Sequence, residues 1–189
     1  MRYLVRLVAV GVVAATVLAF AGPVSAGKPT SPTKFDFHVG DSFGGIESPD
    51  VTAAANGDTL TVVGAGTFDT SAKTVSGSLT FTHKSATGTT LATGTITVTG
   101  FTTFVFYGCG VIGGVTLPSN LCGGRLLVPV HIVGHPVSGG TVELDGLLQV
   151  TCLVGNHVPN GAQEGFRMVV IGVLNFNKPV SGQTILVSK

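Results

Sequence analysis

The chain has no tryptophan, two tyrosines and two methionines in 189 residues, and Asp, Glu, Lys and Arg together make up 10% of it. Ordinary globular proteins carry about 25% charged residues. Charge this scarce and this balanced leaves no electrostatic footprint for nucleic acid or an anionic membrane. So little tyrosine and no tryptophan leave no evident platform for stacking sugars or bases. Also absent are a His-Glu-x-x-His zinc helix, a phosphate-binding glycine loop ending in Lys-Ser or Lys-Thr, and a Cys-x-x-Cys pair. Each is a spacing its chemistry requires, so zinc proteases and nucleotide enzymes are disfavoured. No catalytic residue, metal ligand set or cofactor is predicted.

What is present begins with an export signal over residues 1–26. Arg2 and Arg6 form a charged start, Leu7 to Phe20 an apolar core, and Val24-Ser25-Ala26 a small-x-small cleavage site. The apolar run falls short of the roughly 20 residues that span a bilayer. No Cys adjoins the site to take a lipid and no second apolar span follows, so no stable membrane anchor is expected after cleavage. Loss of Arg2 and Arg6 leaves eight basic against nine acidic residues, a net of about −1. The expected destination is extracellular. Residues 27–34, rich in Pro, Ser, Thr and Lys, read as a flexible leader to a single β domain over 35–189, long enough for a real core.

An oxidising destination predicts one disulfide among Cys109, Cys122 and Cys152, with one thiol left over. Cys109 and Cys122 flank a Gly-rich stretch, Gly110 to Leu121, and are the favoured pair. A bridge from either to Cys152 is the alternative, since connectivity is not readable from sequence. Cys152 shares the phase of Val142, Leu144, Leu148 and Val150, which predicts a buried, desolvated and inert thiol.

Outside the leader the pattern is of strands, with Gly and β-branched residues throughout. Phe35 to Val39 alternates as a first strand. The loop Gly40 to Asp50 carries three carboxylates, Asp41, Glu47 and Asp50, in no calcium-loop spacing, and they are expected to be solvated. Asn56-Gly57-Asp58 is a strong hairpin signal. Gly64 and Gly66 suggest a bulge or tight curvature. Val75 to His83 and Ala92 to Thr99 alternate with hydroxyls outward, and His83 is expected to be a solvated strand tip. No fixed-length repeat accompanies the threonine rows, which excludes a solenoid. Phe101 to Tyr107 reads as a core strand or, alternatively, as the lining of an apolar pocket. Arg125 to Val133 should be an edge strand, or bulged, at Pro129. Val142 to Cys152 and Phe166 to Phe176 form the clearest strand pair, Lys178 to Gln183 the last turn, and Thr184 to Val187 the closing strand. The fold class is all-β, an antiparallel sandwich or barrel of about eight to nine strands.

Scarce charge makes its few concentrations informative. Glu143, Asp145 and Gln149 share one strand face, and Arg167 lies in phase with Val169 on the next strand. If the strands pair, a carboxylate could oppose Arg167. Inside a barrel the two would suit a small ligand; outside, they form a surface pair worth about 0–1 kcal/mol. The apolar set Val142, Leu144, Leu148 and Val150 makes the better core face, so the charged set is expected to point outward. His131 is expected to be partly buried and hydrogen-bonded. The loop Gly155 to Gly165, with Glu164, has the length of a functional loop. Glu164, Arg167, Glu143, Asp145, His131 and Tyr107 are thus the candidate ligand-binding residues.

The runs Gly77-Ser78-Leu79-Thr80-Phe81-Thr82-His83, Leu148-Gln149-Val150-Thr151-Cys152, Glu164-Gly165-Phe166-Arg167 and Asn175 to Gly182 resemble a group of small secreted Gly- and Thr-rich microbial β-proteins of unassigned function. The likeness spans about Val51 to Val187 and carries no catalytic residue. A weaker likeness, of architecture alone, is to calycin-like, dirigent-type barrels. Two functions are therefore expected: a non-catalytic binding or surface-interaction module or, as the alternative, a barrel for a small apolar ligand, with or without isomerase or cyclase activity. Whether Phe101 to Tyr107 and the faces of Glu143 and Arg167 line a closed cavity is the geometric test between them.

Overall fold

Alternation with period two places every second side chain on one face, and here the apolar set closes around one core. The computed structural model describes residues 31–43 and 49–189; the export signal, residues 27–30 of the leader and Glu47 lie outside them. Thirteen strands occur in order: β1 Lys34–Val39, β2 Asp50–Ala54, β3 Thr59–Asp69, β4 Thr74–Lys84, β5 Thr90–Val98, β6 Thr103–Cys109, β7 Val111–Ile112, β8 Val115–Thr116, β9 Leu121–Pro136, β10 Val142–Cys152, β11 Gly165–Val170, β12 Leu174–Ser181 and β13 Thr184–Ser188. No α-helix occurs among the described residues.

Eleven strands form one antiparallel sheet, in the order β1-β13-β9-β10-β11-β12-β2-β3-β4-β5, with β6 beside β9; β7 and β8 are a separate hairpin. Two further pairings, β5 with β9 and β1 with β3, curl the sheet back on itself into a barrel-like wrap. Two long strands make this possible by changing neighbours partway. β3 pairs β2 through Thr59–Val62, then β1 from Gly64 onward. The exchange at Gly64 is the curvature that the glycines predicted, with no break in the ladder to β4.

β9 is the central strand, contrary to the edge expected from Pro129. Pro129 is in register with Leu147 on the β10 side, without a bulge. On the other side β5 ends opposite Val130, β6 begins opposite Leu127, and Thr99 N–H donates to the Pro129 carbonyl at 3.0 Å. Backbone N–H and C=O of one strand residue point the same way, so the donor that proline lacks falls where the ladder is already interrupted.

The run Phe166 to Phe176 is likewise two strands. The chain reverses at Ile171–Val173, with Gly172 at φ +75° and Val173 N–H bonded to the Val170 carbonyl, and Met168 pairs Phe176. A glycine at the third turn position supplies the positive φ that the reversal needs. This split, with the short hairpin β7–β8, raises the strand count above the eight or nine expected. Lys178 to Ser181 continues β12 through two irregularities rather than forming a turn.

Leu126, Val128, Val130 and Ile132 of β9 and Leu148, Val150 and Cys152 of β10 are buried, as alternation predicts. The inner faces of β1 and β6 contribute rings. Phe35 stacks on Phe68 at 4.9 Å and meets Phe104 at 5.1 Å and Phe106 at 6.0 Å, so the aromatic strand is largely core. Cys109 and Cys122 face each other across β6 and β9 and form the expected disulfide. Cys152 is a buried thiol that donates to the Cys122 carbonyl at 3.4 Å.

Candidate functional site

The inward positions at one end of the wrap are mostly small or aliphatic, where the other end is packed with rings. β5 places Ala92 inward, β9 Gly134 and Pro136, and β10 Val142 and Leu144. Together with Leu60, Phe81, Ile132, Met168, Val170, Val173, Leu174 and Phe176 they line an open-mouthed cavity of about 170 Å³, with Val142, expected in the core, and Val173 exposed at its rim. His83 supplies the one polar side chain of this lining. It is not the solvated tip expected. Its Nε2 lies 3.1 Å from Asp58 Oδ2 and its ring stands edge-on to Phe176 at 5.4 Å. Burial would raise the Asp58 carboxyl, but hydrogen bonds from His83, Asn56 and the Ala86 N–H hold it below the usual range. An anchored imidazole is thus presented at the wall of an apolar chamber.

The residues singled out by charge lie elsewhere, in two groups. Glu143, Asp145 and His131 meet on the outer face of β9 and β10, where His131 Nδ1 is 3.2 Å from Asp145 Oδ1 and Nε2 is 3.7 Å from Glu143 Oε2. Both carboxylates are exposed, so this is surface pairing of little energetic weight. Arg167 opposes Gln149, not a carboxylate. Neither Phe101 to Tyr107 nor the Glu143 and Arg167 faces line the apolar cavity.

Arg167 and Tyr107 line one pocket on the outer face of the sheet, and Glu164, in the loop after β10, stands outside it. Glu164 accepts from the Leu153 N–H at 2.7 Å, the Thr184 N–H at 2.9 Å and the Thr184 hydroxyl at 2.7 Å. It therefore pins the loop to the start of β13, a structural use of the carboxylate. Burial pushes its carboxyl up, against hydrogen bonds from Thr184 and Leu153 that pull it down.

Asp50 departs furthest from expectation. It was read as a solvated loop carboxylate, yet it is fully buried, and neither oxygen has a hydrogen-bond partner among the described residues. Burial, and then the charge of Glu164, push its carboxyl up to about 7. Gly182, at φ +96°, passes so close that a Cβ there would overlap the Asp50 carboxylate.

The sequence held one signal for the cavity that charge-based reasoning overlooked. Small residues occupy inward phases at one end of adjoining strands, Ala92 and Gly94 on β5 and Gly134 on β9, while phenylalanines fill the inward phases at the other end. No family model matches the chain, and neither a curated protein nor a solved structure matches it.

Proposed function

We propose that this is a secreted, non-catalytic binding domain whose ligand is a small apolar molecule held in the hollow end of the wrap. One observation carries the reading: a chamber walled by aliphatic and aromatic side chains, with a single anchored imidazole as its polar handle. Ligand sites commonly combine such a wall with few polar groups, and an apolar void of this scale takes up small hydrocarbons. An isomerase or cyclase reading has less support, because no carboxylate, hydroxyl or thiol lines the chamber beside His83. The Cys109–Cys122 disulfide is compatible with an extracellular destination.

The chain provides its own reporter, since its two methionines are Met1 and Met168 and the latter lines the cavity. With methyl-labelled methionine, toluene or 1-octanol is expected to shift the Met168 resonance saturably. Ala92→Phe, which puts a ring into the void, is expected to weaken that response by about tenfold or more. A Met168 signal unmoved by both compounds would refute the proposal.

A further inference from the structure

The chain's four arginines are Arg2, Arg6, Arg125 and Arg167, so two fall among the described residues. They stand on different strands, β9 and β11, yet both line one pocket of about 190 Å³ on the outer face of the sheet. We propose that this pocket binds the carboxylate of a small organic acid.

Register explains the convergence. Thr151 opposes Arg125, and Gln149 opposes Arg167, so four polar side chains project from the same face of three adjoining strands. Gln149 Nε2 donates to Thr151 Oγ1 at 3.2 Å, which orients the middle of the row. Buried Tyr107 flanks it from β6, and Gly161, Ala162 and Gln163 form the roof. That roof is tied down where the His157 N–H donates to the Tyr107 carbonyl at 2.9 Å and the Gly155 N–H to the Val111 carbonyl at 2.7 Å.

The positive charge there is not compensated. Arg167 gives Nε to the Asn177 carbonyl at 3.0 Å and Nη2 to Gln163 Oε1 at 2.7 Å, both neutral acceptors. The Arg125 guanidinium makes no hydrogen bond or ion pair among the described residues. No Asp or Glu lines the pocket, and the loop's one carboxylate, Glu164, is committed to Leu153 and Thr184. In a chain so poor in charge, two guanidiniums with donor capacity to spare in one roofed concavity leave an anion's place open. Planar guanidinium forks match a carboxylate's two oxygens. The same forks also match phosphate, which the parallel phosphate arm below separates from a carboxylate.

The test is a titration of the full, isotope-labelled chain with benzoate and, in a parallel arm, inorganic phosphate, at constant ionic strength held with chloride. Benzoate is expected to shift the Ala162 and Gln163 amides and the arginine Nε signals saturably, while phosphate gives only weak, non-saturating changes. Arg125→Gln removes a side chain with no bond inside the protein, so the fold is expected to stay intact while benzoate affinity falls about tenfold or more. The Met168 response to toluene should be unchanged in that variant, which separates this site from the apolar chamber. Non-saturating benzoate shifts, undiminished affinity in Arg125→Gln, or tighter binding of phosphate than of benzoate would each overturn the proposal.

Discussion

The two ends of the same wrap differ in what fills them. Along β3 the inward side runs from Leu60 at the hollow end to Phe68 at the filled end; along β9 it runs from Gly134 to Leu126. At the filled end Phe35, Phe68, Phe104 and Phe106 interlock, and glycines give them room: a Cβ on Gly66 would strike the Phe37 ring, and one on Gly124 the Phe104 ring. At the hollow end glycine and alanine occupy the same phase, and the rings of Phe81 and Phe176 line the space without closing it. Strand alternation is equally good at both ends. It fixes which face is inside, while side-chain volume decides whether the inside is full.

The sharpest way to break this contrast is Phe35→Ala. The ring is wholly buried against three others, which places its removal at the upper end of the range for buried phenylalanine, about 4–5 kcal/mol, readable as a fall in the denaturant midpoint. A comparable cost at the hollow end, for example from Leu144→Ala, would mean that the cavity is not the looser region.

Next in size is the pH dependence due to Asp50. Its carboxyl is raised to about 7 in the folded chain from 3.8. Between those values the unfolded chain releases the proton and the folded chain keeps it, so folding stability falls as pH rises. About three pH units at about 1.4 kcal/mol each set a ceiling near 4 kcal/mol, which water reaching the carboxyl lowers. Asp50→Asn is expected to flatten the stability profile across pH 4 to 7. A slope that survives the substitution would assign it to another group. Smaller again, Glu164→Ala strips the acceptor from Leu153 and Thr184 and is expected to cost about 2–3 kcal/mol in thermal or chemical unfolding, with toluene binding unaltered.

How much of this was legible depends on which physical quantity the sequence encodes. Burial phase was readable over most of the sheet: Leu126 to Ile132, Leu148, Val150, Cys152 and the outward Glu143 and Asp145 follow period two, whereas Val142, on the expected core face, is exposed and Thr151 is buried out of phase. The Cys109–Cys122 clasp followed from proximity in sequence. Pro129 misled because a central strand can hide a missing donor where two neighbours change over, a property of β5 and β6 rather than of β9. Gly172 was passed over because apolar residues flank it, although its positive φ makes the turn. The burial of Asp50 depends on Gly40 and Gly182, remote in sequence, closing over it. Arg125 was read only as the start of a strand, since its meeting with Arg167 is set by the register of β9 and β11 with β10.

A single methyl group tests the two ends at the smallest scale. Added at Gly66, it would meet the Ser76 carbonyl and the Phe37 ring within contact distance, and the ring is wholly buried and has nowhere to move. Gly66→Ala is therefore expected to destabilise by about 1–3 kcal/mol, the usual cost of overpacking. Added at Gly134, the same methyl would lie 3.6 Å from Phe81 Cζ and 3.8 Å from the Val142 carbonyl, ordinary contact distances, on a wall that faces the void. Its backbone is not in the left-handed region, so alanine also restricts the unfolded chain without strain. Gly134→Ala is expected to raise stability by about 0.4–1 kcal/mol and to weaken toluene binding slightly by narrowing the chamber. Differential scanning calorimetry of the pair should give melting shifts of opposite sign; shifts of the same sign would mean that both ends are packed to the same density and that the hollow end relaxes shut in solution.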